Sequence, residues 1–144
     1  MSISDNKWRL ASLLLVVIGW FDTAYLSYVK VINSKIYCGG SAQCDIVNNS
    51  SYSEVSGVPI AYIGFTAYLV IGLLHILETR RISWQRNVPL VIFGLSLTGV
   101  LYSAYLTYIE IAVLKAICPY CVVSAVVMLL IFLISIVRLG SQPS

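Results

Sequence analysis

Two cysteine pairs are the residues of this sequence best suited to chemistry. Cys118-Pro119-Tyr120-Cys121 is a C-x-x-C motif at the mouth of an apolar run that reaches Val137. Residues three apart share one face of a helix. Pro119 suits the first helical position, where its missing N–H is no loss. Both sulfurs would then sit in the positive field of a helix N-terminus, a field that favours thiolate. A dithiol placed this way suits thiol–disulfide exchange. Cys38 and Cys44 form a second pair, with Gly39 and Gly40 giving their loop the freedom to present either sulfur. Two such pairs close together can pass a disulfide from one to the other. Two other readings stay open: inert buried thiols, and one structural zinc held by four thiolates. For zinc, the C-x5-C spacing is unusual.

The elements that must position these cysteines are membrane helices. Apolar residues make up 59% of the chain and charged residues 10%, against about 25% charged in soluble domains. The net charge of +3 is scattered and leaves no nucleic-acid footprint. A spanning helix needs about 20 mainly apolar residues, and four runs qualify: about 9–32, 58–77, 88–114 and 118–137. The expected fold is therefore all-α: a polytopic bundle of four transmembrane helices forming a single domain over residues 1–144. Residues 33–57 read as an ordered loop with a short helical or turn segment between the first two helices. Lys7 and Arg9 resemble the start of a signal peptide, but no small-residue cleavage site follows and the apolar stretch is long for one.

Charge orients the bundle. With the N-terminus taken as cytoplasmic, the cytoplasmic flanks hold Lys7, Arg9, Arg80, Arg81, Arg86 and Arg138, and the opposite flanks Lys30, Lys35 and Lys115. The positive-inside rule then favours both termini on the cytoplasmic side. All four cysteines would face the outer side, where disulfides form and persist. An internal repeat fits two outward–inward hairpins. Gly19–Cys38 and Gly99–Cys118 match without gaps at an offset of 80, with seven of twenty positions identical.

Asp22 lies inside the first span, where a carboxylate is costly and is functional or hydrogen-bonded. Glu110 is expected to form a surface pair with Lys115. His75 falls near the cytoplasmic end of the second span, far from the thiols.

The chain resembles a single-domain prokaryotic member of the vitamin K epoxide reductase family. The likeness rests on D-T-A-Y-L-S-Y at 22–28, Cys38-Gly39 with Cys44 six on, and Ser50-Ser51-Tyr52. G-V-P-I-A-Y-I-G at 57–64 and Cys118-Pro119-Tyr120-Cys121 complete it, and it covers roughly residues 15–137. The resemblance implies a membrane oxidoreductase that oxidises the dithiol of a thioredoxin-fold disulfide-forming protein and reduces a membrane quinone, ubiquinone, menaquinone or similar, with no metal. Cys38 and Cys44 match the family's shuttle pair, Cys118 the cysteine that exchanges through Cys44, and Cys121 the cysteine beside the quinone ring. Ser50 matches a serine near the quinone carbonyl. Ala125 stands where animal members carry a tyrosine that helps hold vitamin K, which favours a plain quinone over an epoxide. Many prokaryotic members are fused to a thioredoxin-like domain; here the partner is expected to be a separate protein. An apolar quinone belongs in a pocket inside the bundle, below Cys121, with Phe65, Tyr68, Leu101 and Tyr105 as candidate walls. The expected setting is a prokaryotic cell membrane, with no nucleic-acid partner. A small four-helix transporter is the rival class, although it has no need of four cysteines at one face.

Overall fold

A computed structural model describes residues 3–35, 43–80 and 86–141, with the side chains of residues 3–5 left aside. Cys38, Gly39, Gly40 and Arg81 lie outside the described residues. The fold is all-α, built on α1 (Ile3–Val31), α2 (Gln43–Asn48), α3 (Ile60–Arg80), α4 (Val88–Ile109) and α5 (Pro119–Ser141). A 3₁₀ turn (Ser51–Ser53) and a two-stranded hairpin, β1 (Glu54–Val55) and β2 (Val58–Pro59), join α2 to α3. Ser56 and Gly57 both have positive φ, 53° and 84°, as the tight turn of such a hairpin requires.

Among the described residues, four stretches are long and apolar enough to cross a bilayer: Asn6–Val31, Ile60–Arg80, Val88–Leu114 and Pro119–Ser141. Large apolar side chains such as Leu14, Phe21, Leu90 and Tyr108 stand exposed around the bundle, an outer surface suited to lipid and not to water. The protein is an integral membrane protein.

The long helices pack as two pairs, α1 with α3 and α4 with α5, joined through a third contact between α1 and α5. The α3–α4 seam is thin. Glycine allows the close approaches within each pair. A Cβ at Gly19 would lie 2.4 Å from the Tyr68 ring, and one at Gly99 would lie 2.8 Å from Met128. These two glycines are equivalent positions of the internal repeat, and each seats a large side chain from the helix paired with its own.

One core cluster centres on Tyr68, Ile71, Ile92 and Ile131. A second lies at the cysteine-bearing end and joins Leu26 and Val29 of α1 to Cys44, Val47, Ala116 and Cys118. The opposite end holds a buried polar cluster. Ser12 Oγ is 2.9 Å from His75 Nε2, His75 Nδ1 is 3.6 Å from Glu78 Oε2, and Arg138 Nη2 donates to Glu78 Oε1. All four residues are buried and together tie α1, α3 and α5. His75 thus belongs to a helix-to-helix contact away from the thiols.

Removing one member of a buried ion pair strands the other without compensation, at a cost of about 3–5 kcal/mol. Arg138→Met should lower the thermal unfolding midpoint of the detergent-solubilised protein markedly, and the double variant Glu78→Leu/Arg138→Met should recover most of the loss. A single variant as stable as the parent would show that the pair does not hold the bundle.

Candidate active site

The site begins where α4 ends. The last turn of this span, Glu110–Leu114, is π-helical, and Lys115 follows in the left-handed region at φ 52°. The widened turn and the reversal after it bring the chain back over the bundle end. Glu110 O accepts the Ala116 N–H at 3.0 Å. Its carboxylate Oε2 accepts the Cys118 N–H at 3.2 Å. Pro119 then opens α5, and Cys118 O accepts the Val122 N–H at 3.1 Å as the helix's first bond. Cys118 is thus the cap residue of α5, and Cys121 lies one turn in.

Glu110 was expected to form a surface pair with Lys115, and the structure corrects this. Glu110 is 4% exposed and turns inward to the C-x-x-C motif, while Lys115 is exposed. A spacing of five does not align two side chains on a helix, whereas three or four does. Glu110 is the site residue that sequence reasoning missed. The available signal was an intramembrane carboxylate in register with Gly99, Ser103 and Leu106 on one face of α4.

The loop brings the second pair to the same place. Cys44 on α2 is 0% exposed and packs in one cluster with Cys118, itself 1% exposed. Gln43 Oε1 accepts the Ile117 N–H at 3.4 Å, a weak tie between the loop and the C-x-x-C segment. Lys30 holds the loop to the end of α1, donating to Asn48 O at 2.9 Å and pairing with Glu54 at 3.6 Å. Cys44 is disulfide-bonded, whereas Cys118 and Cys121 are free thiols. The one further cysteine of the sequence is Cys38, outside the described residues.

Below the thiols lies a cavity of about 460 Å³ between α1, α3, α4 and α5, with mostly apolar walls. That volume falls in the usual range for small-molecule sites, roughly 300–1,000 Å³. Ser50, Tyr68, Glu110 and Cys121 are among its lining residues. Ser50 Oγ donates to Val47 O at 2.8 Å, and Tyr68 Oη donates to Ser124 O at 3.0 Å. Three of the expected walls are not in the lining. Leu101 and Tyr105 are 63% and 50% exposed on the outer face of α4. The helical period carries positions 101, 104, 105 and 108 outward, while 99, 102, 103 and 106 face the cavity. Phe65 packs against Trp20 instead, with ring centroids 5.3 Å apart and the planes tilted by 32°. Asp22 Oδ2 is buried with no hydrogen-bond partner among the described residues.

Residues 10–136 match the vitamin K epoxide reductase family. The chain belongs to that family. It is also similar to "Thiol-disulfide oxidoreductase LTO1" of Arabidopsis thaliana, at 37% identity over 121 residues, covering 80% of this chain and 32% of that protein. The chain therefore spans about a third of that relative's length. Both C-x-x-C cysteines, Cys44, Ser50 and Glu110 fall within the family match.

Electrostatics separates the two C-x-x-C thiols. The S–H of Cys121 donates to the Cys118 sulfur and holds the Cys118 thiol below its ordinary pKa. The backbone N–H groups of Tyr120 and Cys121 add to this, against burial and the Glu110 charge. A hydrogen bond to the charged form of a group favours that form. Cys118 thiolate should therefore accumulate at a lower pH than an ordinary thiol allows. In a Cys38→Ser/Cys44→Ser background, which leaves Cys118 no disulfide to attack, an ultraviolet thiolate titration reads Cys118 and Cys121 alone among the thiols. Cys121→Ala removes the donor and should move the Cys118 titration to higher pH. An unmoved curve would assign the effect to some other group.

Proposed function

We propose that this protein is a membrane thiol oxidoreductase that takes electrons from a thioredoxin-fold dithiol protein and delivers them through two cysteine pairs to a membrane quinone. The observation that carries the reading is the placement of Cys121. It is one member of a free dithiol and it lines an apolar cavity, while its neighbour Cys118 shares a buried cluster with the disulfide-bonded Cys44. Family membership and the likeness to a thiol-disulfide oxidoreductase support the same class of chemistry.

In this reading Cys38 and Cys44 form the shuttle disulfide. The partner's thiolate attacks Cys38, because the Cys44 residue is fully buried. Released Cys44 thiolate attacks Cys118 of the Cys118–Cys121 disulfide that the previous quinone reduction left, and Cys121 leaves as a thiolate at the cavity, where it takes up a proton. A quinone accepts two electrons and two protons, which is what closing one dithiol releases. Such an apolar acceptor would enter from the bilayer, where the thin α3–α4 seam borders the cavity. Tyr68 would form part of its wall. Ser50 would turn its hydroxyl from Val47 O to a quinone carbonyl and stabilise the charge that develops there. Ala125 leaves out the tyrosine of animal members and favours a plain quinone.

The six-to-three division of basic residues supports an orientation with both termini in the cytoplasm and the cysteines on the outer face. A membrane-impermeant thiol reagent applied to intact cells after mild reduction should label the cysteines. Labelling that appears only in inverted vesicles would reverse the orientation and, with it, the oxidising compartment.

The relay order is tested with Cys121→Ala. Quinone-dependent oxidation of a dithiol such as dithiothreitol, present in the parent protein, should be abolished. Non-reducing digestion and mass spectrometry should find a trapped Cys44–Cys118 disulfide. Retained quinone reduction, or a Cys38–Cys118 link in its place, would show the assigned order to be wrong.

A further inference from the structure

Glu110 has a geometry that capping a turn does not explain. Its carboxylate is buried at 4% exposure within the third span. No ion pair neutralises it among the described residues, although an uncompensated buried charge is costly. It makes three contacts of different kinds. Oε2 accepts the Cys118 N–H at 3.2 Å, the carboxyl group lies within reach of the Cys121 S–H, and the residue lines the cavity that Cys121 also lines. The backbone N–H needs only an acceptor, which an amide would supply equally well. What a carboxylate adds is the capacity to take up a proton and give it back.

We infer that Glu110 is the proton carrier between the Cys121 thiol and the oxidant in the cavity. This inference rests on the quinone-reducing function proposed above. Cys118 thiolate, Cys121 thiol, one quinone and one solvent proton give the Cys118–Cys121 disulfide and one quinol. One S–S bond forms, one S–H bond breaks, and the two sulfurs lose two electrons to the quinone. The two quinone oxygens take up the Cys121 proton and the solvent proton. Glu110 receives the Cys121 proton and passes it to the nearer oxygen, beginning and ending the cycle as a carboxylate. A proton leaving Cys121 in this apolar space has the carboxylate beside it, so no hydrated ion need form.

A proton carrier and a plain turn cap respond differently to Glu110→Gln. The amide oxygen still accepts the Cys118 N–H, and glutamine matches glutamate in size. The test uses the full-length protein in detergent, reduced at Cys118–Cys121 and mixed with a short-chain ubiquinone in a single turnover. Glu110→Gln should slow quinone reduction by about a hundredfold or more, the range for loss of a positioned acid–base group. The preceding exchange, in which the reduced loop pair attacks the Cys118–Cys121 disulfide, should be no slower. Removing a negative charge beside the departing Cys121 sulfur can only ease that departure. A variant that reduces quinone at the parent rate, or that slows both steps alike, overturns the inference. Should the glutamine variant fold poorly, Glu110→Asp supplies the second test. Its carboxylate is one methylene short of its partners, so the quinone step should slow while exchange persists, and an unchanged quinone step overturns the inference. A parent protein that oxidises no dithiol with either a ubiquinone or a menaquinone would overturn the proposed function, and the role of Glu110 with it.

Discussion

The hydrogen bond from the Cys118 N–H to the Glu110 carboxylate fixes the reactive end of this protein. Glu110 closes the chain reversal twice, through its backbone oxygen to Ala116 and through its side chain to Cys118. These bonds set the residue at which α5 begins. A helix turns about 100° per residue. If α5 began one residue later, Cys121 would rotate away from the cavity and Cys118 would lose its place against Cys44. The rare π-helical turn therefore has a positional purpose. It ends α4 with Glu110 facing inward at the depth of the two sulfurs.

The bilayer imposes the second constraint. Within lipid, backbone groups must find partners inside the protein. The long helices meet this demand internally, but the described loop between α1 and α3, over residues 49–59, and the segment between α4 and α5 do so only in part. Those two irregular segments cover one another at the cysteine-bearing end, with Lys30 clamping the loop and Gln43 reaching Ile117. The opposite end needs no mobile chemistry and is tied by the buried Glu78–Arg138 pair with His75 and Ser12. One end is thus pinned through side chains from three helices, and the other presents sulfurs on segments that pack without being helical throughout.

The four spans and the C-x-x-C motif were readable from the sequence, because length, apolar composition and a proline at a helix start act locally. The inward face of each span was less readable. In a soluble helix the polar face marks solvent, but lipid and protein core are equally apolar, so hydrophobicity carries no phase. Leu101 and Tyr105 looked suited to a cavity wall for that reason, and they face outward. Small and polar residues carry the phase instead. Gly99, Ser103 and Glu110 mark the inner stripe of α4, as small residues mark helix contacts in membranes generally. Phe65 was misplaced by a contact no sequence pattern announces, its tilted ring contact with Trp20. The pairing of Glu110 with Lys115 failed because the helix widens there into a π turn, and nearness in sequence did not become nearness of side chains.

Direction in the proposed relay follows from what each sulfur can reach. Among the described cysteines, Cys121 alone lines the cavity, so an acceptor dissolved in the membrane meets that sulfur. Cys118 is buried in one cluster with Cys44 and Cys121 and faces neither water nor the cavity. It can only transfer what one neighbour brings to the other. Its thiolate, favoured by the hydrogen bond from Cys121, is ready to close onto that sulfur. Cys121 still holds its proton, and Glu110 lies beside it to receive that proton. Electrons and protons then leave by the same residue, at the one place where the dithiol borders apolar space.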